Sequence, residues 1–287
     1  METTKSSDSI LRKEKKIMKY TLYNYKEAIK SLPLKDKYYK GELLIPELLV
    51  EKKDTIEIYY APHNEFINSK AKVFIIGITP GFYQMSTAIA MARKGLELDE
   101  DIETIQYQCK VVGRFSGPLR KNIISMLDEI KLNTVLKIES CSELFDKKDY
   151  LLHTVSLIPY SVFVKKKNYS GHSPNLIKNE FLMKYVYENF IKEYNLLKDK
   201  EKVLLIPLGK AVEEVLTKLE LEGMIGKQQI LKGFPHPSGA NGNRIKQFNV
   251  NKANMIEFIE ACDRIVLEDV NMIRTNEHDY DALQDEE

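Results

Sequence analysis

The sequence predicts an α/β fold, a three-layer sandwich with a central four-stranded, mostly parallel sheet. Four short β-like runs lie along the chain from residue 73 onward, and helical patterns separate them. This alternation is typical of a parallel sheet whose two faces are covered by helices. The runs span residues 73–78, 150–158, 203–208 and 228–234. The segments 73–76 and 203–206 are apolar throughout, which indicates strands buried on both faces.

The remaining elements follow in chain order. Residues 20–52 have apolar positions near helical spacing, with breaks at Pro33 and Pro46. Further helical patterns cover residues 119–131, 176–197, 209–219 and 252–267. Because the chain has no internal repeat and no long linker, we expect one domain over 20–270. A loose basic segment, 1–19, precedes it, and an acidic tail, 271–287, follows it.

Composition narrows the class of protein. Of the 287 residues, 43% are hydrophobic and 30% are charged, and no apolar run is long enough to span a bilayer. The first twenty residues are too polar for a signal peptide. The three cysteines are far apart in sequence, which predicts no disulfide framework and excludes a four-cysteine iron–sulfur cluster. We therefore expect a cytoplasmic protein with no membrane contact and no metal site.

The formal net charge of +1 hides an uneven distribution. Residues 276–287 contain six acidic residues and no Lys or Arg, whereas Lys165, Lys166 and Lys167 form a basic cluster. Such clusters allow a phosphate backbone as partner, but they also suit a solvated surface. The acidic tail fits either a mimic of a nucleic-acid strand or a solubilising end.

Two short loops, far apart in sequence, suggest a functional site. The first follows the run at 73–76 and consists of Gly77, Ile78, Thr79, Pro80 and Gly81. The second, at 236–239, begins with His236 and follows the run at 228–234. Loops that leave the carboxyl ends of parallel strands can meet at one crevice. Glycine in one loop permits close backbone approach, and the imidazole of the other can donate to a developing anion.

Five motifs in order resemble the uracil-DNA glycosylase superfamily. They are GITPG at 77–81, GRFSGPLR at 113–120, LLHTVSLIP at 151–159, LLIPLGKA at 204–211 and HPSG at 236–239. The resemblance implies a four-stranded parallel sheet between helices, with no metal and no organic cofactor. It also implies that the protein cleaves the bond between a base and its deoxyribose after flipping the nucleotide out of DNA.

The first motif departs from the family pattern at two positions. Thr79 stands where relatives have an Asp or Asn that positions or activates water. A hydroxyl can orient water, but it is no general base near neutral pH. Gly81 stands where the uracil enzymes have a Tyr that excludes 5-substituted pyrimidines, so space is left beside C5. The resemblance assigns Gly77, Ile78, Pro80 and Gly81 to substrate binding.

Two further positions would contact the base. Phe115 resembles the aromatic platform on which the flipped base stacks, an interaction worth about 1–3 kcal/mol. His153 stands at the position of the Asn that reads the Watson–Crick edge of uracil. A neutral histidine carries one donor and one acceptor on opposite sides of its ring, so it cannot copy the paired contacts of an amide. The substitution therefore bears on substrate identity.

The HPSG motif implies the main catalytic group. His236 would donate to the base carbonyl as the departing base becomes an anion, a contribution of roughly 3–4 kcal/mol. Ser238 and Gly239 would hold DNA phosphates. Ala240 is too small for the family's leucine wedge, so Asn241 or Arg244 would fill the vacated stack.

The sequence thus predicts a monomeric, monofunctional DNA glycosylase that acts on single- or double-stranded DNA and needs no cofactor. Thr79, Gly81 and His153 each differ from a strict uracil pocket, which favours a bulky 5-modified cytosine, as in phage DNA, and a role in defence. Ordinary uracil repair is one alternative. A catalytically silent DNA-binding module and an unrelated nucleotide-binding α/β protein are two others.

Overall fold

The structure, a computed structural model, describes residues 19–281, with side chains described from 19 to 262. Apart from residue 19, the predicted N-terminal segment 1–19 lies outside the described residues, and so do residues 282–287 of the predicted acidic tail. Residues 271–281 of that tail form the end of the last helix.

Groups of helices and groups of strands follow one another along the chain. The helices are α1 (Leu22–Lys30), α2 (Lys40–Leu43), α3 (Phe82–Glu97), α4 (Ile102–Gly113), α5 (Gly117–Glu129), α6 (Leu132–Val135), α7 (Glu180–Tyr185), α8 (Ile191–Tyr194), α9 (Lys210–Leu221) and α10 (Arg244–Asp281). A π-helical turn, Val186–Phe190, joins α7 to α8. Short 3₁₀ helices lie at Pro46–Leu48, Pro62–Asn64, Cys141–Phe145, Asp149–Leu151 and Lys200–Lys202. The strands are β1 (Leu49–Lys53), β2 (Ile56–Tyr59), β3 (Val73–Gly77), β4 (Leu152–Ser156), β5 (Ser161–Val164), β6 (Lys167–Asn168) and β7 (Leu204–Pro207).

A parallel sheet of three strands lies at the centre, in the order β4-β3-β7. Strand β3 pairs with both neighbours in register, so that Gly77 lies beside Ser156 and Ile76 beside Pro207. The carboxyl ends of all three strands therefore reach the same edge. The position outside β7, where the sequence predicts a fourth strand over 228–234, holds a single parallel bridge between Leu205 and Ile230.

The side chains of β3 alternate between two apolar layers. Val73 and Ile75 belong to a core cluster that includes residues of α5, α6 and α10. Phe74 and Ile76 belong to a second cluster, shared with α3, α4, α7 and α9. The strand is buried on both faces because helices cover each one. The predicted α/β class is confirmed, although the parallel sheet has three strands rather than four.

A second sheet was not predicted from the sequence. It is antiparallel, in the order β1-β2-β5-β6, and β1 occupies the end of a stretch expected to be helical. The turn between β5 and β6 contains Lys165 and Lys166, both with positive φ (49° and 61°). Two left-handed residues are typical of tight hairpin turns, which Asn-Gly or Gly-Gly usually signal in sequence. A lysine pair carries no such signal.

Two helical expectations also change in detail. The helix expected over 176–197 consists of α7, the π-helical turn and α8, and it begins at Glu180 behind an Asn179 side-chain cap. The last helix begins at Arg244 rather than near residue 252 and runs to Asp281. Within the described residues, no helix has both the length and the apolarity that crossing a bilayer requires.

The packing of α4 makes a testable prediction. A β-carbon added at Gly113, the last residue of α4, would lie 2.6 Å from Cβ of the buried His63. A β-carbon at Gly41, in α2, would meet nothing within 4 Å. We expect Gly113→Ala to lower the free energy of unfolding by about 1–3 kcal/mol, the usual cost of overpacking.

Gly41→Ala serves as the matched helical control, with a gain of about 0.5–1 kcal/mol expected from helix propensity. Urea unfolding followed by circular dichroism measures both. Equal stabilities of the two variants would contradict the packing described around His63.

Candidate functional site

A cavity of about 1010 Å³ opens at the edge where the carboxyl ends of the parallel strands meet. This is where ligands bind in open α/β sheets, and the volume is at the upper end for a small-molecule cleft. Each strand contributes residues at its end: Gly77 from β3, Ser156 from β4, and Leu208 and Gly209 directly after β7.

The structure brings most of the predicted catalytic and base-contacting residues to this cavity. The predicted residues that line it are Gly77, Ile78, Thr79, Gly81, Phe115, His236, Ser238 and Asn241. Those that do not line it are Pro80, His153, Gly239, Arg244, Lys165, Lys166 and Lys167. The two loops singled out in the sequence therefore face one common space.

The loop after β3 is held by hydrogen bonds to two other parts of the chain. The Thr79 hydroxyl donates to the carbonyl of Tyr160 and accepts from the amide of Val162 at 3.0 Å. Gln84 accepts from the amide of Gly81 at 3.2 Å and donates to the carbonyl of Gly113 at 2.8 Å. The single proton of the Thr79 hydroxyl is thus used within the protein, and one lone pair remains for a water.

Phe115 lies on the cavity wall, and the side chains of Arg114 and Arg120 hold the segment around it. The buried Arg114 donates to the carbonyl of Phe145 at 2.9 Å and lies 3.5 Å from a carboxylate oxygen of Asp149. Arg120 donates from Nε to the carbonyl of Phe115. The residue is 8% exposed and belongs to the core cluster that contains Val73 and Ile75. A ring held this way can offer one face to a planar ligand at little entropic cost.

The loop that carries His236 is held at three consecutive carbonyls. Asn241 donates to the carbonyl of His236 at 3.2 Å, and Asn122 donates to that of Pro237 at 2.8 Å. Arg244 donates to the carbonyl of Ser238 at 3.0 Å. The turn before α9 also fits closely, because a β-carbon at Gly209, whose φ is +91°, would lie 3.0 Å from Cβ of His236.

The hydrogen bond made by His236 defines its protonation. Its Nδ1 accepts from the backbone amide of Ser238 at 3.2 Å, so the ring proton resides on Nε2. The side chain is open to the cavity, yet enough protein surrounds it for desolvation to lower its pKa. At neutral pH the group is therefore an uncharged imidazole with a free Nε2–H donor. That is the form suited to stabilise an oxyanion without first losing a proton.

The assignment of His153 to base reading is wrong in this geometry. The side chain is 1% exposed and lies against Phe74, with ring centroids 4.6 Å apart. Its Nε2 hydrogen-bonds to the buried carboxylate of Glu193, and its Nδ1 accepts from the amide of Asn68 at 3.4 Å. Burial and the nearby Lys110 lower its pKa. His153 is the second residue of β4 and so lies well short of the strand's carboxyl end.

Ser156, which sequence reasoning missed, is the residue of β4 that reaches the cavity. It is the last residue of the strand and lies directly beside Gly77 in the sheet register. The signal was present in the rule that ligands bind at strand ends, since Ser156 is three residues nearer that end than His153. The other polar lining residues are Gln84, Asn168, Ser170, His172, Lys210, Glu213, Gln247 and Asn251.

Two of the residues expected to meet DNA, Arg244 and Lys166, have contacts within the protein. Arg244 is occupied by the carbonyls of the 236–238 loop, so it does not fill an emptied stack in this arrangement. Lys166 pairs with Glu57 at 2.8 Å. Lys165 and Lys167 are exposed on the β5–β6 hairpin, next to Asn168 on the cavity rim.

The five acidic residues of the segment between the GITPG and GRFSGPLR motifs supply no carboxylate to the cavity wall. The acids of the 82–112 segment, Glu97, Asp99, Glu100, Asp101 and Glu103, do not line the cavity. Glu213 is the acidic residue that does, and its Oε2 accepts from the amide of Gly233 at 2.6 Å. Within the described residues, no three His, Cys, Asp or Glu side chains cluster as a metal site would require.

Fold and site together define an α/β protein with a pre-formed cleft at the carboxyl edge of a parallel sheet. The chain is 39% identical over 245 residues to "Uncharacterized protein YoxB" of Bacillus subtilis (strain 168), covering 85% of this chain and 94% of YoxB. It therefore belongs to the YoxB family, whose name specifies no activity. No protein-family model matches the chain.

A solved structure, "The crystal structure of WT Pedobacter heparinus SMUG2", is also similar. It has 17% sequence identity and a TM-score of 0.43, over 86% of this chain and 100% of that chain.

The corrected position of His153 makes a prediction about stability. His153→Ala removes the hydrogen-bond partner of the buried Glu193 carboxylate and leaves a cavity beside Phe74. We expect it to lower the free energy of unfolding by about 3–5 kcal/mol. Ser156→Ala, on the same strand but at the cavity, should change it by about 1 kcal/mol or less.

Urea denaturation of both variants measures the difference. If His153→Ala unfolds at the wild-type midpoint while Ser156→Ala unfolds early, the burial of His153 described above is wrong.

Proposed function

We propose that this protein is a monofunctional DNA glycosylase of the uracil-DNA glycosylase superfamily. It flips a nucleotide out of DNA, hydrolyses the N-glycosidic bond and leaves an abasic site. One observation carries the proposal: an uncharged His236 with a free Nε2–H faces the same cavity as the glycine-containing loop after β3 and the ring of Phe115. The order of motifs in the sequence supports the superfamily.

The chemistry follows from this arrangement. The bond between C1′ and the base nitrogen breaks with its electron pair moving to the base, so a base anion separates from a sugar oxocarbenium ion. Nε2–H of His236 stabilises the anion, and Phe115 stacks on its ring. Water adds its oxygen to C1′ and its proton ends on the base. Thr79, whose remaining lone pair can accept from that water, and the backbone of Gly77 orient it.

The loop after β3 carries no carboxylate, and Glu213, the acid on the cavity wall, already accepts from the amide of Gly233, so we infer that water activation contributes little. The reaction then depends on leaving-group stabilisation, and bases that depart readily as anions are favoured. A 5-substituent that withdraws electrons makes a pyrimidine a better leaving group. This preference agrees with the non-standard pyrimidines that the sequence favours as substrates.

The shape of the site supports the same substrate class. At Gly81 a β-carbon would meet only Nδ2 of Asn168, at 3.7 Å, so no ring closes the space beside C5. We assign the contact with the base edge to Ser156 in place of His153. A single hydroxyl reads an edge less strictly than an amide does. A bulky 5-modified cytosine, as in phage DNA, and a role in defence in the cytoplasm are our leading assignment, with uracil in repair as the alternative.

DNA is the expected partner, bound by a monomer. Ser238 and Asn241 line the cavity, and Gly239 is exposed on the same loop, where all three can meet phosphates that flank the flipped nucleotide. Lys210 begins α9 at the cavity edge with its side chain exposed.

The proton of the Thr79 hydroxyl is donated to the carbonyl of Tyr160. This favours a second candidate function, a DNA-binding module without catalysis.

The test compares His236→Ala and His236→Gln with wild type. Each protein is incubated with duplex and single-stranded oligonucleotides containing uracil, 5-hydroxymethylcytosine or glucosylated 5-hydroxymethylcytosine. Free base is measured by mass spectrometry and abasic sites by alkaline cleavage. We expect wild type to release a 5-modified base, and His236→Ala to lower the rate by about 10²–10³-fold, the cost of losing one oxyanion donor.

His236→Gln retains an N–H donor and should recover part of the rate. Release of base from uracil-containing DNA alone would overturn the assignment of a 5-modified substrate, and the proposed glycosylase activity would stand. No release from any substrate, with DNA affinity intact in wild type and both variants, would identify a binding module.

A further inference from the structure

An exposed surface of tyrosine and lysine lies beside the cavity. Tyr39 is 80% exposed and Tyr83 is 54% exposed. Lys37 holds its ammonium group 5.6 Å from the centroid of the Tyr83 ring. Lys40 follows Tyr39 directly. We call these four residues, Lys37, Tyr39, Lys40 and Tyr83, the Tyr39–Tyr83 surface.

A chain of contacts connects this surface to the cavity rim. Asn168 lines the cavity and accepts from the amide of Phe82 at 3.3 Å. Lys40 lies 5.8 Å from the centroid of Phe82 and donates to the carbonyl of Lys166 at 2.9 Å. Tyr83 is the next residue after Phe82 on α3. A strand leaving the cavity past Gly81 would therefore meet this surface first.

The backbone that presents Tyr39 is fixed. The amide of Tyr38 donates to Oγ of Ser86, in α3, at 2.8 Å, and that hydroxyl donates back to the carbonyl of Tyr38 at 3.2 Å. Tyr38 itself is buried, and its hydroxyl donates to the carbonyl of Pro33 at 2.8 Å. The anchored Tyr38 thus holds its neighbour Tyr39 outward, so that a ligand would not have to order this segment.

The charges near the surface favour an anionic partner. The carboxylate of Glu42 is paired with Lys35, and that of Glu57 with Lys166. Asp36 is the exposed acid of the same segment, and it is outnumbered by Lys37 and Lys40. Exposed aromatic rings beside ammonium groups suit unpaired bases, which stack on the rings while their phosphates meet the lysines. A duplex has its bases stacked already and could use only the lysines.

We propose that the Tyr39–Tyr83 surface binds an unpaired stretch of nucleic acid, with bases stacked on Tyr39 and Tyr83 and phosphates at Lys37 and Lys40. The direction of the strand, outward from the cavity, rests on the proposed glycosylase function. The stacking does not. The surface makes the protein prefer single-stranded DNA, or a strand whose bases are unpaired beside the flipped nucleotide.

The experiment measures fluorescence anisotropy with a labelled dT12 oligonucleotide and with a labelled twelve-base-pair duplex. We expect wild type to bind dT12 more tightly than the duplex. Tyr39→Ala and Tyr83→Ala should each weaken binding of dT12 by about tenfold, within the range for loss of one base–aromatic stack. Binding of the duplex should change by less than about twofold, and Tyr39→Phe and Tyr83→Phe should bind like wild type because the rings remain.

Tyr23→Ala is the matched control. Tyr23 is 71% exposed and has the ammonium of Lys26 4.9 Å from its ring centroid, but it lies on α1, and we expect wild-type binding. Melting curves of all variants check folding. The proposal is overturned if dT12 does not bind, if the alanine variants bind it like wild type, or if they lose duplex and dT12 equally.

Base release, measured separately, distinguishes this proposal from the proposed function. If wild type releases no base, but both alanine variants bind dT12 more weakly than wild type, the proposed glycosylase function is wrong and the proposed binding surface stands. If wild type releases base, but both alanine variants bind dT12 like wild type, the glycosylase function stands and the binding surface is wrong.

Discussion

The in-register parallel pairing of β3 with both β4 and β7 is the constraint on which the site depends. It places Gly77 beside Ser156 and brings the turn at Gly209 to the same edge. The pairing is stable because alternate side chains of β3 enter two separate apolar layers. A slip of one residue would exchange the side chains that β3 directs into the two layers, which pack against different helices, so packing fixes the register and the register fixes the cavity.

The loops around the cavity are held mainly by hydrogen bonds to backbone atoms. Thr79 and Gln84 tie the loop after β3 to neighbouring segments, and Asn122 and Arg244 tie the His236 loop at its carbonyls. The hydroxyl proton of Thr79 and the guanidinium group of Arg244 are used in these bonds. The same bonds that pre-organise the site therefore remove Thr79 as a proton donor and Arg244 as a wedge, and they leave His236 with the main electrostatic role.

The sequence predicted the parts of the fold whose patterns are local. Composition identifies the apolar runs at β3 and β7. It also identifies the loops after β3 and before α10. The antiparallel sheet was missed because its hairpin turn uses Lys165 and Lys166 at positive φ. His153 was misassigned because a motif gives the order of residues but not their distance from the strand end. Ser156 becomes visible only once the register of β4 is known.

Stabilisation of a departing base anion depends on His236 being an uncharged imidazole protonated on Nε2 at neutral pH. Nuclear magnetic resonance of protein labelled with ¹⁵N in its histidines, assigned with His236→Gln, reads the two ring nitrogens directly during a pH titration. We expect an unprotonated Nδ1 and a protonated Nε2 at pH 7, with a second proton binding only below the ordinary histidine pKa of about 6.5. A proton on Nδ1, or a charged ring at pH 7, would contradict it.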